Sequence, residues 1–115
     1  EMIHYGMTKT AQLTIARGLA EQTKGTGVTV NSVLPGPTRS EGITDFIRSV
    51  VSNPDAPEAE RERAFFGELR PLSLIHRLIE ADEIGAMVTY LASPLAAATN
   101  GAAIRAEGGI VPTIA

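Results

Sequence analysis

The sequence contains no cysteine and no tryptophan, and aromatic residues make up only 4% of its 115 positions. Without cysteine there is neither a disulfide framework nor a thiolate metal site, and the composition is compatible with the reducing cytoplasm, the expected location. Lysine occurs only twice among the ten basic residues, and the formal net charge is −3 with a pI near 5.3. Nucleic acid is therefore not an expected partner. Only two histidines are present, His4 and His76, far apart and without ligand-like spacing, so no metal site is expected. No apolar run approaches the roughly 18 residues of a membrane span, and no basic-then-apolar segment opens the chain, so no membrane partner is expected. What remains is ordinary globular material: 43% hydrophobic and 20% charged residues with a mean hydropathy of +0.07. That composition supports a packed core in a chain the size of one domain. The sequence opens on Glu1 with Met2 behind it, which is expected of an excerpt or a processed product.

Apolar spacing predicts an amphipathic helix over about Tyr5 to Lys24, with Ala11, Ile15 and Leu19 at four-residue intervals beside Ala16 and Ala20. Gly25 and Gly27 supply its end. Gly18 inside it costs about 1 kcal/mol unless close packing requires it. Val28 to Leu34 is a β-branched run that predicts a buried strand stopping at Pro35-Gly36. Ile43, Phe46, Ile47, Val50 and Val51 fall on one helix face, with Ser40 as N-cap. Asn53 to Pro57 breaks that helix, and another is predicted from Pro57 to about Phe66, ended by Gly67. The charge run Glu58 to Arg63 reads as a solvated face with i, i+3 pairs, and Leu69 to Ile79 as irregular. Asp82 and Glu83 suit the positive end of a helix whose inward face is Ile84, Met87, Val88 and Leu91, closed by Ser93-Pro94. A last strand is expected at Ala102 to Ala106. Two strands separated by crossover-length helical segments predict a parallel pair in an α/β sheet.

Tyr5 and Lys9 form Y-G-M-T-K. Four-residue helical spacing puts both side chains on one face, with Cβ atoms about 5 to 6 Å apart. An ammonium beside a phenol favours the phenolate, so such a tyrosine gives a proton to a carbonyl oxygen, or takes one from an alcohol, nearer neutral pH. Tyr5 and Lys9 are the candidate catalytic residues. Phe65, Phe66, Leu69 and Leu72 have two readings, as the lining of a substrate cavity or as core.

From Tyr5 to Ile110 the order of these segments resembles the C-terminal half of the short-chain dehydrogenase/reductases. Their Y-x-x-x-K falls on Tyr5 and Lys9. Their N-x-[hydrophobic]-x-P-G-x-[IV]-x-T pattern falls on Asn31 to Ser40, with Thr38 at the branched position and Ser40 where threonine is usual. Ala106-Glu107-Gly108-Gly109 stands for their V-D-G-G, and Arg77 with Glu83-Ile84-Gly85 for their arginine followed by E-[EDA]-[IV]-A. The resemblance implies an NAD- or NADP-dependent oxidoreductase acting on a small-molecule carbonyl or secondary alcohol. Tyr5 would be the general acid/base, and Lys9 its partner and a ligand of the nicotinamide ribose. Tyr5, Lys9, Pro35, Gly36, Thr38 and Ser40 would hold the cofactor, and the excursion at about 41–79 would be the substrate lid.

The implied fold is the C-terminal portion of a Rossmann-type, doubly wound parallel sheet, one domain over 1–115 with its N-terminal half absent. The family's glycine-rich phosphate loop, N-A-G motif and catalytic serine would all precede Glu1. The chain alone is then expected to be inactive, because nothing here replaces the phosphate loop. The alternative is a non-catalytic α/β remnant that folds only by self-association, as a homo-oligomer, or with a missing N-terminal half, because two strands cannot bury both faces and both edges.

Overall fold

The computed structural model describes residues 2–114. In order along the chain the elements are α1 (Ile3–Gln22), β1 (Ser32–Pro35), α2 (Glu41–Val50), α3 (Glu58–Ala64), a π-helical turn (Phe65–Leu69), α4 (Ala81–Ala92), a 3-10 turn (Pro94–Ala96) and β2 (Ala103–Ala106). β1 and β2 pair. Ser32 N–H donates to Ala102 C=O and Gly36 N–H to Ala106 C=O, so both strands advance together and the pair is parallel, as expected. The chain divides into two compact units: one runs to Leu34 and takes up Met87–Arg105, and the other comprises Pro35–Ala86 with Ala106 onward.

Strand β1 is shorter than the predicted Val28 to Leu34: ahead of Ser32 one backbone bond, Gly101 N–H to Val30 C=O (2.8 Å), is joined by side-chain bonds in place of a regular ladder. Val30 N–H donates to Asn100 Oδ1 (2.8 Å), while Asn31 donates to Thr99 C=O (2.8 Å) and accepts from Ala102 N–H (3.1 Å). The inward face of α1 also differs from expectation. Leu13, Ala16 and Ala20 turn inward, with Ala20 buried, whereas Ile15 is 62% and Leu19 52% exposed. Close approach explains the exchange. Gly101, at φ +70°, lies where a Cβ would meet the Arg17 guanidinium at 2.7 Å and the Ala20 methyl at 3.4 Å, so α1 approaches it through Ala20 and the reach of Arg17. Two grooves flank β1. One of about 450 Å3 is lined by Asn31, Val33, Val88 and Leu91, the other of about 370 Å3 by Leu13, Ala16, Ser32 and Ala103.

The second unit holds the larger apolar core. Ile47, Val51, Phe65, Phe66 and Leu78 are buried together, with Ile43 and Ala64 packed against them. Thus α2 and its C-cap turn Ile43, Ile47 and Val51 inward, whereas Phe46 and Val50, predicted on the same face, are exposed. Phe65 and Phe66 are each 1% exposed and meet edge to face at 5.2 Å, which decides their role as core; Leu69 and Leu72 stay exposed. Gly67 does not end the helix: it lies inside the π-helical turn, which carries both phenylalanines inward before Arg70 N–H closes on Phe65 C=O. Pro57 is the N-cap of α3, not its first helical residue.

Glu83 caps the start of α4 from its first turn, as in one half of a capping box. The Glu83 carboxylate accepts the Glu80 N–H (2.8 Å) and pairs with Arg77 through two bonds of 2.7 Å. Of the predicted inward residues of α4, Ile84, Met87 and Leu91 are partly buried, and Val88 is exposed.

Candidate active site

Tyr5 and Lys9 lie in the first two turns of α1, where the helical period brings them onto one face. The Lys9 Nζ stands over the Tyr5 ring, 5.4 Å from its centroid, a cation–π distance. Tyr5 is 48% exposed. His4 is on the same helix, also exposed.

The Pro35–Ser40 loop belongs to the second unit. Gly36 passes so close to the end of β2 that a Cβ there would lie 2.6 Å from the Glu107 carbonyl oxygen, so only glycine fits. Glu107 in turn accepts the N–H groups of Ile110 and Val111, which fixes the turn after β2. Thr38 pairs with Ile79 in an isolated parallel bridge: Ile79 N–H donates to Pro37 C=O (2.9 Å), and Arg39 N–H donates to Ile79 C=O (2.8 Å). In a parallel bridge of this kind the central residue's own N–H and C=O face the other way. Thr38 therefore presents a backbone donor and acceptor side by side, and its hydroxyl donates to Gly36 C=O (2.9 Å). A primary carboxamide needs this pairing, so the loop fits the nicotinamide end of a dinucleotide. Ser40 is the N-cap of α2 in extended conformation, but its side chain makes no capping bond. Pro35 ends β1 and is exposed.

The structure thus brings Tyr5 to Lys9, and separately Pro35 and Gly36 to Thr38 and Ser40. Sequence reasoning missed Arg39. Its guanidinium meets Glu80 (3.0 Å), Glu58 (3.1 Å) and Glu62 (2.9 Å), so two carboxylates of the supposed solvated run turn to Arg39 and not to the arginines of their own helix. The hydrogen bonds from Glu80 and then Glu62 raise the Arg39 pKa further above its already high value. At the Arg77 pair, hydrogen bonding from Arg77 and then from the Glu80 N–H holds the Glu83 carboxyl down at about 2. Among the described residues, no group of three His, Cys, Asp or Glu side chains is arranged to hold a metal ion, and no helix is long and apolar enough to cross a membrane.

A family model described as Enoyl-(Acyl carrier protein) reductase matches residues 1–111. The solved short-chain dehydrogenase/reductase from Serratia marcescens BCRC 10948 superposes with a TM-score of 0.71 at 33% identity, over 96% of this chain and 38% of that one. The chain belongs to the short-chain dehydrogenase/reductase family. Its fold class is accordingly α/β of the Rossmann type, as expected. A relative named "Uncharacterized oxidoreductase YvaG", from Bacillus subtilis (strain 168), is 49% identical over 114 residues, which are 99% of this chain and 43% of that protein. A blue fluorescent protein from a metagenomic library, solved in complex with NADPH, is similar at 30% identity and a TM-score of 0.68, over 93% of this chain and 37% of that one. The chain thus spans less than half the length of these relatives. It belongs to a family of oxidoreductases that use a nicotinamide dinucleotide.

Proposed function

We propose that this chain carries the proton-transfer pair and the carboxamide-holding loop of an oxidoreductase, dependent on NAD or NADP, that interconverts a carbonyl and a secondary alcohol in the complete protein. The observation that carries the reading is the Tyr5–Lys9 pair, with the ammonium 5.4 Å from the centre of an exposed phenol ring. A bound nicotinamide dinucleotide supplies or accepts the hydride. Tyr5 donates the proton to the carbonyl oxygen in reduction and removes it from the hydroxyl in oxidation. Lys9 stabilises the phenolate left behind, and Thr38 holds the carboxamide through its backbone N–H and C=O, with Gly36 and Pro35 fixing the path of the loop and Ser40 adding a hydroxyl that α2 does not use. The NADPH complex of the metagenomic relative supports a phosphorylated dinucleotide as the first cofactor to try. The segment at about 41–79 is assigned as the lid over the substrate.

Replacing Tyr5 with Phe in the full-length protein removes one hydroxyl and leaves the ring over which Lys9 stands. Turnover is expected to fall by about 100-fold or more, the usual scale of a lost general acid, while NADPH binding persists. Wild-type turnover in that variant would remove Tyr5 from the mechanism. A second reading, a non-catalytic remnant that folds only in association with itself or with another segment, is favoured by the two grooves that flank β1. Sedimentation of this chain by itself distinguishes it: a compact, cooperatively unfolding monomer contradicts that reading.

A further inference from the structure

Arg39 stands between Thr38 and Ser40, inside the loop assigned to the cofactor, yet its side chain makes no use of that loop. Its Nε donates to Glu80, Nη1 to Glu58 and Nη2 to Glu62, partners that are 41, 19 and 23 residues away along the chain. Glu58 and Glu62 belong to α3, and Glu80 directly precedes α4. Glu62 is the most enclosed of the three at 17% side-chain exposure, and it is shared: one oxygen takes the Arg39 bond while the other accepts the Leu78 N–H at 2.9 Å. The next residue, Ile79, makes the two backbone bonds that flank Thr38. One guanidinium therefore closes a circuit from the loop through α3 to the chain returning from the lid and back to the loop. The planar fork of arginine suits three acceptors in three directions, which a lysine cannot match. Removing the cation would leave three carboxylates facing one another.

We infer that Arg39 is a positioning residue that couples folding of the lid to presentation of the Thr38 backbone pair, so that cofactor affinity depends on the lid being closed onto the loop by Glu58, Glu62 and Glu80. The inference rests on the cofactor role proposed above for Thr38. It assigns to Arg39 no contact with the cofactor or the substrate.

The test compares the full-length wild type with Arg39→Gln, Arg39→Lys and the milder Glu58→Gln, which keeps two of the three pairs should Arg39→Gln fail to fold. Hydrogen exchange at the Leu78 and Ile79 amides reads the circuit, and steady-state kinetics with NADPH and with NADH read its consequence. In Arg39→Gln exchange at both amides is expected to quicken by about ten-fold and the cofactor KM to rise by about ten-fold, with kcat within about two-fold of wild type. Arg39→Lys and Glu58→Gln should fall between, with the two readouts moving together. Faster exchange with an unchanged cofactor KM would overturn the inference, since Arg39 would then be a staple of the lid alone. Unchanged exchange would overturn it as well. A wild type that binds neither NADPH nor NADH would instead defeat the cofactor reading on which the inference depends, an outcome visible before any variant is made.

Discussion

Gly36 is the position at which one methyl group does most damage. A Cβ built on it lies 2.6, 2.8 and 2.9 Å from the carbonyl oxygen, Cα and carbonyl carbon of Glu107, well short of the 3.4 Å at which ordinary contact begins. All three are backbone atoms, so no rotamer relieves the overlap. The end of β1 must move away from β2, which lengthens the Gly36 N–H bond to Ala106 C=O from its 3.2 Å. Overpacking typically costs about 1 to 3 kcal/mol, and a backbone hydrogen bond contributes about 0.5 to 1.5 kcal/mol, so Gly36→Ala is expected to destabilise by about 1.5 to 4.5 kcal/mol. The matched control is Gly18→Ala. Gly18 lies inside α1, and a Cβ added there meets nothing within 4 Å, so helix propensity alone acts and the protein should gain up to about 1 kcal/mol. Urea unfolding of the full-length wild type and both variants reads the two signs in one assay. If Gly36→Ala falls within about 0.5 kcal/mol of wild type, as an ordinary surface change would, then the closeness of the loop to β2 is not what demands glycine.

Two further outcomes follow from the second unit. Phe66→Ala opens a cavity beside Phe65 in a site that is 1% exposed and should cost about 3 to 5 kcal/mol in urea unfolding, whereas Leu72→Ala at an exposed position should cost less than about 0.5 kcal/mol; equal costs would mean that the phenylalanines line a cavity after all. The Arg77–Glu83 pair carries a pH signature. Because the Glu83 carboxyl is held at about 2 in the folded chain against an ordinary 4.5, its stabilisation is fully present above 4.5 and is lost as pH falls through about 2. The stability difference between wild type and Glu83→Gln should therefore shrink as unfolding is followed from pH 6 down towards pH 2, and a difference that stays constant over that range contradicts the pairing.

What was legible in the sequence is what one segment decides for itself. The start of α4 at Asp82 and Glu83, the stop at Pro35-Gly36, the shared face of Tyr5 and Lys9, and Ile43, Ile47 and Val51 of the five-residue stripe on α2 all follow from local period and backbone chemistry and stand in the structure, whereas Phe46 and Val50 of that stripe are exposed. The misreadings occur where segments meet. Four-residue spacing put Ala11, Ile15 and Leu19 on the inner face of α1 with Ala16 and Ala20 beside them, but Ala11, Ile15 and Leu19 are exposed, and it is Ala20 that lies against Gly101. Gly67 reads as a stop signal, yet burial of Phe65 and Phe66 outweighs about 1 kcal/mol of glycine propensity and carries the helical path to Leu69. Val28 to Asn31 has strand composition, but of its partners only the Gly101 N–H to Val30 C=O bond is backbone to backbone, and the side chains of Asn31 and Asn100 make the other links to 99–102.

The candidate site divides along the same line. Tyr5 and Lys9 need only the turn of one helix. Thr38 matters through its backbone, whose orientation is set by Ile79, and Arg39 matters through three carboxylates that no local spacing connects to it. An arginine enclosed in a readable motif thus acquires its role from outside that motif. Substitutions at Glu58, Glu62 and Glu80 should therefore alter the loop proposed to hold the cofactor even though none of the three lies within it, and a reading confined to the motif would have left all of them on the surface.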